Sequence, residues 1–151
     1  MHQSIKNLIT VKNDLKLNGD KIPSIIAVSK TFSINDILPL IDYGHIHYGE
    51  NKVQEAMEKW TDLKKKNQKI KLHMIGKLQT NKVKFVLPLF DYIHSLDNYK
   101  LAQKISTEQK KIIKKPKIFI QVNIGNENQK TGINKNILKD FYLYCKKLDL
   151  D

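Results

Sequence analysis

The chain has 151 residues, 40% of them hydrophobic, and a formal net charge of +12. That is enough for one compact domain burying roughly 70% of the surface its unfolded form exposes, so disorder is not the default. No stretch approaches the ~20 apolar residues of a bilayer span. The opening "MHQSIKNLITVKNDLKLNG" spaces charges at helical intervals where a signal peptide has an apolar core, so a cytoplasmic chain with no membrane partner is expected.

The positive charge invites a nucleic-acid reading, since a basic face releases counterions from phosphates. All 27 basic residues are lysine, however, and arginine, which forks onto phosphates and guanine edges, is absent. The runs "DLKKKNQK" and "EQKKIIKKPK" have no interleaved aromatics, so they read as solvated helix faces and no specific nucleic acid is expected. The single cysteine, Cys145, lies in the helical pattern "NKNILKDFYLYCKKL" and reads as a small core residue.

In chain order, short apolar β-branched runs occur at "SIIAVS" (24–29), "HIHYG" (45–49), "KLHMIG" (71–76), "YIHSL" (92–96) and "KIFIQVNI" (117–124), each followed by helical spacing. After the first run, "SINDILPLIDYG" has Ser33 and Asp36 at the spacing of a capping box and ends at Gly44, with Pro39 predicting a short or kinked helix. "NKVQEAMEKWTDLKKK" places Val53, Met57, Trp60 and Leu63 or Lys64 on one stripe, which reads as core. "TNKVKFVLPLF", stopped near Pro88, and "NYKLAQKISTEQKK" predict two more helices, and Pro116 separates the latter from the fifth strand.

This alternation is βαβ, hence a parallel sheet, either open and doubly wound or part of a barrel. No Gly-rich phosphate fingerprint follows the first strand, which favours the barrel. In both architectures ligands sit beyond the carboxyl ends of the strands. Those ends hold Ser29 and Lys30; Gly49, Glu50 and Asn51; His73 to Gly76; Ser95; and Asn123. Lysine is seldom buried without a partner, so Lys30 needs water or a ligand. If held dry, its amine would lose affinity for its proton and become able to attack an aldehyde such as that of pyridoxal phosphate. On spacing alone, a lysine reaching to the surface is the better account. His45 and His47 alternate on one strand face, but no third ligand follows at a convincing spacing and a metal site is not expected.

Five blocks carry a resemblance: "AVSKT" at 27–31, "YGENKVQE" at 48–55, "LHMIGKLQTNK" at 72–82, "IHSLD" at 93–97 and "QVNIGNENQKTGI" at 121–133. In order and spacing they resemble the pyridoxal phosphate homeostasis protein family, whose fold is that of the alanine racemase N-terminal domain. The resemblance implies an α/β fold, a partial (β/α)8 TIM-type barrel with about five of its eight strands present, forming one domain over 1–151. It implies pyridoxal 5'-phosphate as cofactor, carried as a Schiff base on Lys30, with Asn51 lining it and with His73, Ser95 and Asn123 pointing toward the same pocket. For His73 a packed, hydrogen-bonded histidine is an equal alternative. Gln79 and Asn81 either cap a helix or rim the pocket, and the "NENQKTGI" loop belongs at its mouth.

The resemblance further implies a role in vitamin B6 homeostasis without defined turnover, and PLP-dependent apoenzymes as recipients. A racemase-like enzyme and an inactive truncated fragment are the alternatives. Two departures stand out. Leu72 occupies a position where an aromatic is common, and the family continues through further strands that supply phosphate-binding loops and an arginine. A chain truncated at its C-terminus is therefore expected, with unpaired parallel edges and weakened cofactor binding.

Overall fold

The computed structural model describes residues 1–16, 23–125, 127 and 129–151. Helix α1 (Gln3–Lys16) precedes a regular alternation: β1 (Ala27–Val28), α2 (Ile34–Asp42), β2 (His47–Glu50), α3 (Val53–Lys66), β3 (Lys71–Met74), α4 (Val83–Leu89), β4 (Tyr92–Leu96), α5 (Tyr99–Gln109) and β5 (Lys117–Ile120). A two-residue strand β6 (Val122–Asn123) pairs with β7 (Ile133–Asn134) before the last helix, α6 (Leu138–Lys147). The five main strands are parallel in the order β1-β2-β3-β4-β5, as consecutive βαβ units require. This is an α/β sheet of barrel type, and β1 and β5 are its outer strands.

Period-two alternation separates the two faces. Tyr48, Glu50, Leu72, Met74, Ile93 and Leu96 are buried beneath the helices, with Ala56, Trp60, Val83, Val86, Leu101 and Ile105 packed over them. The register links Val28 to Gly49, Gly49 to His73, His73 to Tyr92 and Tyr92 to Lys117, so one row crosses all five strands on the opposite, inner face. Val28 and Phe119 on that face are largely exposed.

Local sequence explains the element ends. The Asp36 carboxylate accepts from Ser33 N at 3.0 Å and from Ser33 Oγ, the acidic form of the capping box, and Pro39 sits inside the nine-residue helix that follows. Asn98 Oδ1 accepts from Leu101 N at 2.8 Å and caps α5. Pro88 lies in the last turn of α4, where the loss of its N–H ends the helix.

Two strand boundaries differ from expectation. The run at 24–29 is a strand only at Ala27–Val28, because β1 has a ladder on one side alone. The run at 117–124 divides after Ile120: Gln121 N still donates to Leu96 O at 2.8 Å, while Gln121 O accepts from Ile133 N at 2.7 Å, which turns the chain toward β7. Cys145 is buried in α6, as the helical pattern predicts, and burial pushes its thiol up. In the "NENQKTGI" segment, Asn126 and Asn128 lie outside the described residues, as do residues 17–19 of the opening segment.

Candidate functional site at the carboxyl ends of the strands

Lys30 follows Val28 by two residues and sits in the turn that leaves β1. Ser29 O accepts from Phe32 N at 3.2 Å, closing a four-residue turn with Lys30 and Thr31 at its centre. Thr31 has φ 67°, a left-handed conformation that costs a β-branched residue on the order of 1–3 kcal/mol and persists only when neighbours enforce it. Lys30 is exposed. The amine is thus not held dry, and the lysine reaching to the surface, the better account on spacing, describes it; β1 is an outer strand.

Beneath that turn the structure assembles a polar hub that period and spacing did not reveal. Glu50, the last residue of β2, is fully buried. Its Oε1 accepts from Ser29 Oγ at 2.7 Å, Trp60 Nε1 at 2.8 Å and Lys59 Nζ at 2.9 Å. Lys59 Nζ also donates to Ser29 O at 2.8 Å. Trp60 is core, as its stripe predicts, and it is a donor as well. The only sequence signal for the hub was an acid at an apolar strand end with a lysine and a tryptophan one helix later.

Asn51, half-buried, leaves β2 at the same end of the sheet. Gly76, just after β3, lies so close that a Cβ there would stand 2.2 Å from Asn51 O. His73 lies within β3, on the inner face and below the strand ends. It is buried, shares a 2.9 Å hydrogen bond with His47 (Nδ1 to Nε2 of His73) and another with His94 (Nε2 to Nδ1 of His73). The packed, hydrogen-bonded alternative thus describes His73. Burial first, then His94 and His47, push its pKa down to about 4; burial also lowers His94. The continuous row His47–His73–His94 was missed because its members come from three strands. His45 sits outside that row, with Nε2 2.9 Å from His47 O and its ring edge-on to Tyr48.

Ser95 is buried near the end of β4, at the position where the β4–β5 register shifts, and its Oγ has no hydrogen-bond partner among the described residues. Asn123 stands apart from the other four. It belongs to β6, and its Nδ2 donates to Glu127 O at 2.9 Å and Lys130 O at 3.3 Å while Oδ1 accepts from Glu127 N. Its amide organises the loop that follows. Gln79 precedes the 3-10 turn Thr80–Lys82 without capping it through its side chain, and Gln79 and Asn81 are both exposed.

A parallel β/α sheet of barrel type, with a lysine turn and an asparagine at its carboxyl edge, defines the class of protein. Within that class the chain is similar to curated pyridoxal phosphate homeostasis proteins. It is 41% identical over 117 residues to the pyridoxal phosphate homeostasis protein of Pasteurella multocida, covering 77% of this chain and 50% of that protein. It is 35% identical over 130 residues to that of Aquifex aeolicus, covering 86% and 56%. The chain thus spans about half the length of these curated relatives. No family model matches it. Among solved structures it is similar to PipY of Synechococcus elongatus with pyridoxal phosphate bound, at 30% identity and TM-score 0.75, covering 91% of this chain and 64% of that one. An alanine racemase structure, CdALR, matches at 16% identity and TM-score 0.67 over 93% of this chain and 37% of that one, a likeness of fold alone. No helix among the described residues is long and apolar enough to cross a membrane.

Proposed function

We propose that this chain, as one domain over 1–151, binds pyridoxal 5'-phosphate through Lys30 and serves cytoplasmic vitamin B6 homeostasis, with PLP-dependent apoenzymes as recipients. The observation that carries the reading is the position of Lys30: a primary amine in a strained turn leaving β1, at the carboxyl edge of a parallel β/α sheet, in a chain similar to PipY with its cofactor. The cofactor supplies an aldehyde with which a neutral amine condenses, losing one water, to a Schiff base. The residues present fit it in part. Lys30 is accessible to an aldehyde, Asn51 offers a hydrogen-bond donor at the same end of the sheet, and the orphaned hydroxyl of Ser95 is a third polar group at the strand ends. His73, whose ring nitrogens are both engaged, acts as a wall of the site. Asn123 acts through the loop it holds.

The test is chemical. The chain is incubated with pyridoxal phosphate, reduced with borohydride and mapped by mass spectrometry. Modification concentrated on Lys30 and abolished in Lys30→Ala is expected. Even labelling across the exposed lysines would reduce the reading to surface aldehyde chemistry.

A further inference from the structure

The carbonyl of Ser29, the residue before Lys30, is held from two sides. Phe32 N donates to it within the turn at 3.2 Å, and Lys59 Nζ donates to it at 2.8 Å from α3. The Lys59 ammonium is itself mostly buried and anchored at 2.9 Å on Glu50 Oε1, the atom on which Ser29 Oγ and Trp60 Nε1 also converge. Ser29 is therefore gripped at both its side chain and its backbone by one buried ion pair. The residue two positions on, Thr31, is the non-glycine residue forced to positive φ in this turn.

A buried ion pair is a poor way to gain stability, because apolar residues of equal volume do as well or better. Here the pair does something apolar residues cannot, since it donates to and fixes a backbone carbonyl one residue from the amine. We propose that Glu50 and Lys59 are positioning residues for Lys30. They lock the strained Ser29–Phe32 turn, and so the direction in which the Lys30 amine leaves the sheet edge. This rests on the reading of Lys30 as the cofactor lysine. Lys59 acts through the Ser29 carbonyl and Glu50 acts through Lys59, Ser29 and Trp60; neither needs to touch the ligand.

Three variants test it in the full chain: Lys59→Met, Lys59→Arg and Glu50→Gln, the last keeping an acceptor for Ser29 and Trp60. Two readouts are taken. One is the rate of Lys30 modification by pyridoxal phosphate with borohydride trapping, relative to the exposed Lys110 in the same sample. The other, which needs no cofactor, is hydrogen exchange of the Phe32 amide. Lys59→Met should slow Lys30 relative to Lys110 by about ten-fold or more, the scale on which a misplaced reacting group loses rate, and should speed Phe32 exchange. Glu50→Gln should move both in the same direction, and Lys59→Arg should restore both. A folded Lys59→Met chain with an unchanged Lys30 to Lys110 ratio and unchanged Phe32 exchange overturns the proposal. If Lys59→Met does not fold, the double variant Glu50→Gln, Lys59→Met removes both charges and is read the same way. A wild-type chain in which Lys30 is not preferred overturns the cofactor reading, and Phe32 exchange alone then decides whether the pair locks the turn.

Discussion

The rings of His73 and Tyr92 lie 2° from parallel with centroids 4.3 Å apart, paired in register on neighbouring strands. His47 and His94 flank this stack through hydrogen bonds to the two ring nitrogens of His73. Each nitrogen–nitrogen bond needs one proton, so a neutral His73 donates at one end and accepts at the other. A row of three imidazoles, with a neutral His73 at its centre, thus lines the inner face of the sheet.

That neutrality makes stability fall in mild acid. The folded pKa of His73, about 4, lies below its unfolded value of about 6.5. As pH drops through the interval between them, the unfolded chain takes up a proton that the folded chain refuses. Stability is therefore full above the upper value, declines toward the lower one, and levels off below it. Urea unfolding at about pH 7.5 and about pH 5 should differ by roughly 1–2 kcal/mol, a figure reduced for the partly open face. His73→Gln should flatten part of that difference, and a pH-independent midpoint in the parent chain would contradict the assignment.

Asp91 is a second sensitive position. Burial pushes its carboxyl up, but hydrogen bonds from Lys114, Lys64 and Leu72 N outweigh this and hold it below the ordinary range. Asp91→Ala leaves the half-buried Lys64 ammonium and the Leu72 amide without that acceptor. A loss of about 3–5 kcal/mol is expected by chemical denaturation. A loss below about 1 kcal/mol, typical of exposed pairs, would mean the contact is a solvated surface one.

The turn at Lys30 predicts a substitution that should not destabilise. Thr31 is exposed and left-handed. Thr31→Gly removes the steric cost of Cβ while adding unfolded-state entropy, so the net effect should lie between neutral and about 1 kcal/mol stabilising. Thr31→Val keeps the branching and should gain nothing. A clear destabilisation by glycine, read as a lower Tm, would show that the left-handed turn is not the solution conformation.

Gly76 predicts the reverse. An added Cβ meets Asn51 backbone atoms at 2.2 to 2.8 Å, and backbone cannot yield as a flexible side-chain tip can. Gly76→Ala should cost about 1–3 kcal/mol and shift the amide resonance of Asn51. An alanine variant with parental stability and an unmoved Asn51 signal would be incompatible with this packing.

Much of the fold was readable because its signals are local. The alternation of β-branched runs with helical stripes, the Ser33–Asp36 cap and the prolines at 39, 88 and 116 all act within a few residues, and the structure places elements beside them accordingly. The ends of β1 and of the 117–124 run were not readable, since a strand extends only as far as a neighbour supplies hydrogen bonds.

At the site, motif spacing alone located Lys30 and Asn51 beyond the carboxyl ends of their strands, because chain position within a βαβ unit decides which end a residue occupies. The burial of each group was settled by tertiary structure. Solvent reaches Lys30, His73 joins a row drawn from three strands, and Glu50 meets Lys59 and Trp60 from a helix and Ser29 from another strand. Dielectric surroundings and hydrogen-bond partners are properties of segments brought together from a distance, and no local pattern encodes them.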